Sequence, residues 1–310
     1  MLIAVAMVAA STPARSAEAV KRLEIPLGLD AYMPVPEDNP LTGKKVSLGR
    51  RLFFDRRLSR DQTLSCSSCH DPKRAFTDGR AVAVGIAGRT GTRSAPTLVN
   101  RGYGASHFWD GRAPSLEKQV LEPITNPKEL DMTFEALSAR LRIGRQDLAR
   151  ALASYVRTIR SGDSPFDRYM NGDRNALTEQ ARQGLNLFRG KANCTACHIG
   201  PNFTDERFHN TGAAWREGRL LDEGRFAVTG RLEDRGAFKT PTLREIARTA
   251  PYTHDGSLGS LQEVVDFYDR GGNPNPQLDP ELRPLKLAPE EKQALVAFLH
   301  SLSGTVREGM

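Results

Sequence analysis

Apolar residues recur at helical spacing in three stretches of this 310-residue chain. Between Arg145 and Ser161, Leu148, Leu152, Tyr155, Val156 and Ile159 share one face, which predicts an amphipathic helix. Ser260 and Glu263 form a capping box ahead of Leu261, Val264, Val265 and Tyr268, and Gly271-Gly272 stops the helix they predict. Pro289 opens a third, lined by Leu295, Val296, Leu299 and Leu302 and closed by Gly304. No alternating strand pattern matches these in strength, so the expected fold class is mainly α with long loops. Ser161 to Asn175, rich in Gly, Asp, Ser and Pro, reads as a linker dividing residues 18–165 from 166–310.

The longest apolar run, Leu2 to Ala10, is about half of what a membrane span needs. With small residues following at Ala14 to Ala17, it reads as the core of a signal peptide over 1–17, although no Lys or Arg precedes it; an N-terminal core helix is the alternative. Export, and hence a periplasmic location, follows from the first reading. Composition, 39% apolar and 26% charged, fits a water-soluble chain of two domains without a membrane span. The net charge of +7 raises the question of nucleic acid. Its basic residues are scattered rather than clustered with aromatics, so the charge suggests an acidic protein partner and no nucleic acid.

All four cysteines stand in two motifs of one kind, Cys66-Ser-Ser-Cys69-His70 and Cys194-Thr-Ala-Cys197-His198. This is the c-type haem attachment pattern, in which two thiols bond the porphyrin and the adjacent imidazole binds iron. A Cys/His zinc site, vicinal disulfides and a thioredoxin-like motif are the rival readings.

The chain also matches itself. Residues 95–98 match 240–243, Trp109-Asp110-Gly111 matches His254-Asp255-Gly256, and Ser115-Leu116 matches Ser260-Leu261, all at an offset of 145 residues. The two haem motifs are 128 residues apart, which places about 17 extra residues in the Gly/Arg-rich stretch 212–236. The expectation is two cytochrome c-like haem domains related by internal duplication. Under the same offset Tyr268 corresponds to Pro123, so one copy offers a phenol and the other a side chain that cannot bind iron. Taken alone, Tyr268 is equally readable as a half-buried helix tyrosine satisfying its hydroxyl.

These motifs, with SAPTLVN (94–100), FWDGR (108–112), QVLEP (119–123), TAPYTHDGS (249–257) and SLQEVVDFY (260–268), resemble the bacterial di-haem cytochrome c peroxidase and MauG superfamily from about residue 40 onward. The resemblance implies two covalently bound c-type haems, a peroxidatic one on His70 and a second on His198 that passes electrons. It places Tyr268 as the second haem's distal ligand, where typical peroxidases have Met and MauG has Tyr. It makes Glu129 the acid/base residue for peroxide cleavage, Gln119 a distal-pocket hydrogen-bonding partner and Trp109 a relay between the haems. As bare sequence, Glu129 would be a surface carboxylate and Trp109 a core residue. The family's displaceable distal histidine is missing from Val84 to Arg93, where Ile86 stands instead, which implies a five-coordinate first haem. His107 reads as a surface or packing residue.

The family also implies a calcium ion on backbone oxygens of Thr249 and Pro251 and an Asn side chain, whose place Ser94 takes here. The implied substrate is hydrogen peroxide, with electrons from a small c-type cytochrome or a cupredoxin. MauG-like oxidation of a partner protein is the alternative, although Ala192 stands where MauG has a surface tryptophan. A non-enzymatic di-haem electron carrier is the third reading. The chain is expected as a monomer or a homodimer.

Overall fold

Residues 23–310 are described in the computed structural model, and the signal-peptide reading of 1–17 lies outside them. α1 (Gly43–Phe53) starts at Thr42, whose hydroxyl accepts from the Lys45 amide at 3.3 Å, and turns Val46, Leu52 and Phe53 inward. A long stretch of loops leads to the short α2 (Leu116–Gln119) and α3 (Glu122–Thr125), then α4 (Phe134–Leu141) and α5 (Arg145–Arg157). α1 packs along α5. The crossing depends on Gly49, where a Cβ would stand 1.9 Å from the Ala151 carbonyl oxygen and 2.8 Å from the Tyr155 Cβ.

β1 (Arg160–Gly162) and α6 (Pro165–Met170) lead to α7 (Glu179–Arg189). Beyond it come β2 (Phe208–His209), β3 (Trp215–Arg216), β4 (Arg219–Leu220), α8 (Phe226–Thr229) and β5 (Phe238–Lys239). The chain ends in α9 (Leu261–Asp269), α10 (Pro289–His300) and β6 (Thr305–Arg307). α7 packs along α10 as α1 does along α5. Here Gly184 permits the approach: its Cβ would meet the Ala294 carbonyl at 1.9 Å and the Phe298 Cβ at 2.8 Å. Two apolar cores result, one around Leu52, Phe53, Leu152 and Tyr155, the other around Leu185, Phe188, Leu295 and Phe298. The described residues are thus mainly helical, with three small antiparallel sheets, β1–β6, β2–β5 and β3–β4. No helix among the described residues is long and apolar enough to cross a membrane.

Local geometry also recurs at the offset of 145. Left-handed Asn100 (φ 59°) and Glu245 (φ 61°) each precede a 3₁₀ turn, Arg101–Tyr103 and Ile246–Arg248. Ser115 caps α2 as Ser260 caps α9. The two then diverge: α9 runs unbroken to Tyr268, whereas α2 stops at Gln119 and Pro123 sits in α3. Proline lacks the amide that would bond back to Gln119, which accounts for the break.

Two sequence expectations are corrected. The helix from Arg145 ends at Arg157 rather than continuing to Ser161, because Thr158 turns its hydroxyl onto the Tyr155 carbonyl at 2.6 Å and the chain enters β1. Ser161 to Asn175 is not an open linker, since Ser161, Ser164 and Asp167 are buried and α6 lies within it. Its polar residues are used as partners. Asn100 bonds both the carbonyl and the amide of Ser161, and the Ser161 hydroxyl donates to Glu245 at 2.5 Å. Arg244 reaches Asp167 at 2.6 Å and the Gly28 carbonyl at 2.8 Å. β6 pairs with β1, so the segment after α10 returns to the first half, where Val306 and Met310 pack against the first core.

The Gly49 crossing gives a test in which two effects oppose. Helix propensity favours alanine over glycine by roughly 0.5–1 kcal/mol. A Cβ 1.9 Å from a carbonyl oxygen must force α1 off α5, and overpacking of this kind costs about 1–3 kcal/mol. Gly49→Ala should therefore lower the denaturation midpoint of the holoprotein, measured by urea titration; a raised midpoint would show that the helices part freely.

Candidate haem sites and the surface between them

Each CxxCH motif lies on a short 3₁₀ turn, Cys66–Ser68 and Cys194–Ala196. The backbone amide of each histidine bonds back to the first cysteine of its motif, His70 to Cys66 at 3.0 Å and His198 to Cys194 at 2.9 Å. Both thiols and the imidazole of each motif are thereby held in one small loop. Nδ1–H of His70 donates to the Phe76 carbonyl at 3.0 Å, and that of His198 to the Phe203 carbonyl at 2.8 Å. These bonds fix the tautomer and leave Nε2 as the coordinating nitrogen of each ring. Burial holds both imidazoles below their ordinary value, so they are neutral, as iron ligation requires. Burial likewise pushes the Cys66 and Cys194 thiols up to about 12, and none of the four cysteines is in a disulfide. A cavity of about 490 Å³ opens beside His198, walled by Phe166, Phe188 and Phe203. Unpaired thiols and oriented neutral imidazoles fit covalent haem at both motifs, and aromatic walls add to the fit at the second.

A zinc site is a poorer fit. Among the described residues one group, Cys197, Asp205 and His209, brings three possible ligand atoms within 4.8 Å of one another. Its sulfur belongs to the second haem motif, and its imidazole is already held by Asp279 at 2.6 Å and Asp205 at 2.9 Å.

Beside the first motif, the loop from Val84 to Arg93 folds over Cys69, whose sulfur lies 4.0 Å from the Val84 carbonyl. Gly85 is essential to this approach, since a Cβ there would stand 2.0 Å from the Lys128 carbonyl. Ile86, 1% exposed, bonds its amide to the Glu129 carbonyl at 2.8 Å. Glu129 is not the surface carboxylate that bare sequence suggests. Burial raises its pKa, Asn126 donates to its carboxylate at 2.7 Å, and its charge is felt by both Cys66 and Cys69. Gln119 ends α2 half-buried, with no side-chain hydrogen bond among the described residues.

Tyr268 stands on α9 near the second motif. Its hydroxyl pKa is raised by burial first, then by Cys197 and Cys194, with Thr211 alongside. Trp109 lies where the halves meet. Its indole N–H donates to the Ser94 carbonyl at 3.0 Å, while its own carbonyl accepts from the Lys239 amide at 2.8 Å. Ser94 bonds His254 through its amide at 2.7 Å and donates its hydroxyl to the Thr253 carbonyl at 3.2 Å. That hydroxyl is thus engaged on the loop carrying Thr249 and Pro251. His254, the repeat partner of Trp109, stacks on Phe238 at 3.9 Å, and burial lowers it to about 4. His107 is a packing residue, 5% exposed and lowered to about 3 by burial, with Arg101 and Lys239 adding to the effect.

An ion bridge next to Trp109 leaves no sign in the sequence. Arg93 joins Asp110 at 2.6 Å to Asp222 at 2.7 Å, and Arg225 donates to the Asp110 carbonyl at 2.8 Å. Both second-half residues come from the 212–236 stretch. His209 between two aspartates was also missed; its place in FHN, shortly after the second motif, was the one available hint.

The family described as di-haem cytochrome c peroxidase matches residues 43–175. The methylamine utilization protein MauG of Methylorubrum extorquens is 42% identical, over 87% of this chain and 81% of its own. Cytochrome-c peroxidase IdrP1 of Pseudomonas sp. (strain SCT) is 38% identical, over 98% of this chain and 91% of its own. Among solved structures, a MauG-like protein associated with microbial copper homeostasis superposes with a TM-score of 0.82 at 34% identity, covering 89% of this chain and 95% of that one.

Two haems held by separate loops should be lost separately. Replacing Cys66 and Cys69 together by Ser should leave a chain carrying one covalent haem, measured as haem absorbance per chain after denaturing electrophoresis. Retention of both haems would contradict the assignment of the first motif.

Proposed function

Because the chain belongs to the di-haem cytochrome c peroxidase and MauG family and is a peroxidase-type oxidoreductase with two c-type haems, we propose that it reduces hydrogen peroxide at the haem held by His70. His198 and Tyr268 would hold the second haem, which would supply a place to relay or store oxidising equivalents. The observation that carries this reading is the loop at Ile86. Ile86, buried and bonded through its amide to the Glu129 carbonyl, stands where the family's distal histidine is expected, which would leave the first iron open to peroxide. When bound there, the haem supplies an iron that accepts a peroxide oxygen and holds oxidising equivalents.

The chain's own residues move the protons. Glu129 would serve as the base that takes a proton from one peroxide oxygen and returns it to the other, and Asn126 keeps its carboxylate aimed. Gln119, whose amide has no other partner among the described residues, would orient the oxidant. Trp109, whose carbonyl accepts from the Lys239 amide of the second half and whose indole is held by Ser94, would carry charge between the sites. Two copies of one haem unit, divided near residue 165, account for the matching crossings at Gly49 and Gly184. A small periplasmic cytochrome or cupredoxin supplies the electrons, and calcium between the halves would draw on the backbone oxygens of Thr249 and Pro251. Oxidation of a partner protein is the second reading. Tyr268 favours it, because an anionic phenolate lowers the second haem's potential relative to Met and suits storage of oxidising equivalents.

In the ferric holoprotein, EPR should show one high-spin and one low-spin haem, and Tyr268→Phe should alter the low-spin signal alone. Two low-spin signals would remove the open site. Peroxide should oxidise the ferric protein without prior reduction. Glu129→Gln should slow that step by about 10²–10⁴-fold in stopped-flow absorbance. Glu129 acts as a base only when ionised, and burial raises its pKa. The wild-type rate should therefore climb with pH through a limb above the usual carboxylate range, and the limb should vanish in Glu129→Gln. Turnover of reduced cytochrome c against tryptophan oxidation in a partner protein separates the two readings.

A further inference from the structure

The peroxide site leaves unused a buried tyrosine joined to a surface carboxylate. Tyr155, fully buried on α5, donates its hydroxyl to the carboxylate of Glu308, just beyond β6. Glu308 is 28% exposed and pairs with the more exposed Arg50 at 2.9 Å. The phenol ring therefore sits in the core while its proton acceptor reaches water. The Tyr155 ring meets Phe53 edge-on at 5.1 Å between centroids, and Phe53 meets Phe76 at 6.1 Å. The Phe76 carbonyl is the acceptor for His70. Three packed rings and one backbone hydrogen bond thus lead from the tyrosine to His70. Helix packing does not need the hydroxyl, because Phe298 fills the matching place against Gly184 in the second half.

We propose that Tyr155 and Glu308 form a proton-coupled redox pair serving the first haem. Once peroxide has oxidised the haem held by His70 and no external donor is engaged, Tyr155 gives it one electron. The phenolic O–H bond breaks and its proton passes to a carboxylate oxygen of Glu308. The haem is reduced by one equivalent, the tyrosine becomes a neutral radical, and the carboxylate becomes a carboxylic acid. An electron taken without that transfer would leave a radical cation in an apolar core, where an unpaired charge is costly. Burial, the Glu308 bond and the Glu308 charge all raise the phenol's pKa, so the resting pair keeps its proton on the tyrosine. A later electron from the donor reverses the step. The inference rests on the peroxidase reading for its oxidant.

Freeze-quench EPR and stopped-flow absorbance on one holoprotein preparation test both. Ferric protein mixed with peroxide, without donor, should show oxidised haem together with a narrow tyrosyl signal in the free-electron region. The signal should disappear in Tyr155→Phe and fall several-fold in Glu308→Gln, which keeps an acceptor but no base. Oxidised haem without the signal, or a signal unchanged in Tyr155→Phe, overturns the proposal and leaves the peroxidase reading intact. Haem absorbance unmoved by peroxide overturns the peroxidase reading. In that case photo-oxidation with ruthenium tris-bipyridine and persulfate examines the pair directly, and a radical insensitive to both substitutions overturns it.

Discussion

The placement of one haem site relative to the other depends on a buried polar joint centred on Ser161. Its amide and carbonyl are both bonded by Asn100 of the first half, and its hydroxyl donates to Glu245 of the second. Glu245, fully buried, also accepts from the Gly304 amide at 2.7 Å and from Arg248 at 3.0 Å. Apolar surfaces tolerate sliding, whereas these bonds have fixed directions. Leaving one buried partner unsatisfied costs about 1–3 kcal/mol, and more where the group is charged. The cores thus supply most of the stability, and the joint supplies the geometry.

That geometry bears on the proposed relay, in which charge would cross between the halves. Trp109 is tied to Ser94, and Ser94 is tied in turn to His254 and Thr253 across the boundary. Arg93 closes the arrangement from above by holding one aspartate from each half. Arg93 also ends the loop that carries Ile86. The 212–236 stretch therefore braces the segment that carries the tryptophan and anchors the loop beside the first haem motif at once.

How far these features could be read in advance depended on whether they were local. The haem motifs need only a five-residue spacing, and the capped helices need only periodicity, so both were legible. The break between α2 and α3 was implicit in Pro123. The polar run after Ser161 was misleading, because Ser, Gly and Asp serve exposed turns and buried joints equally well. Only Asn100 and Glu245, 61 residues before it and 84 after it, decide between the two. The same holds for Arg93 with Asp222, and for Tyr155 with Glu308, which are separated by 129 and 153 residues. No window along the chain contains both partners.

The return of β6 to the first half has a consequence for how the molecule folds and comes apart. The contacts that close the first core join residues more than a hundred positions apart, and Arg307 reaches back to Glu24 across 283. Such contacts raise the contact order and are formed late, after long loops have been closed. The two halves, each with its own core, are consequently not independent cooperative units. Loosening the second half withdraws the strand that seals the first, which couples the stability of the two cores.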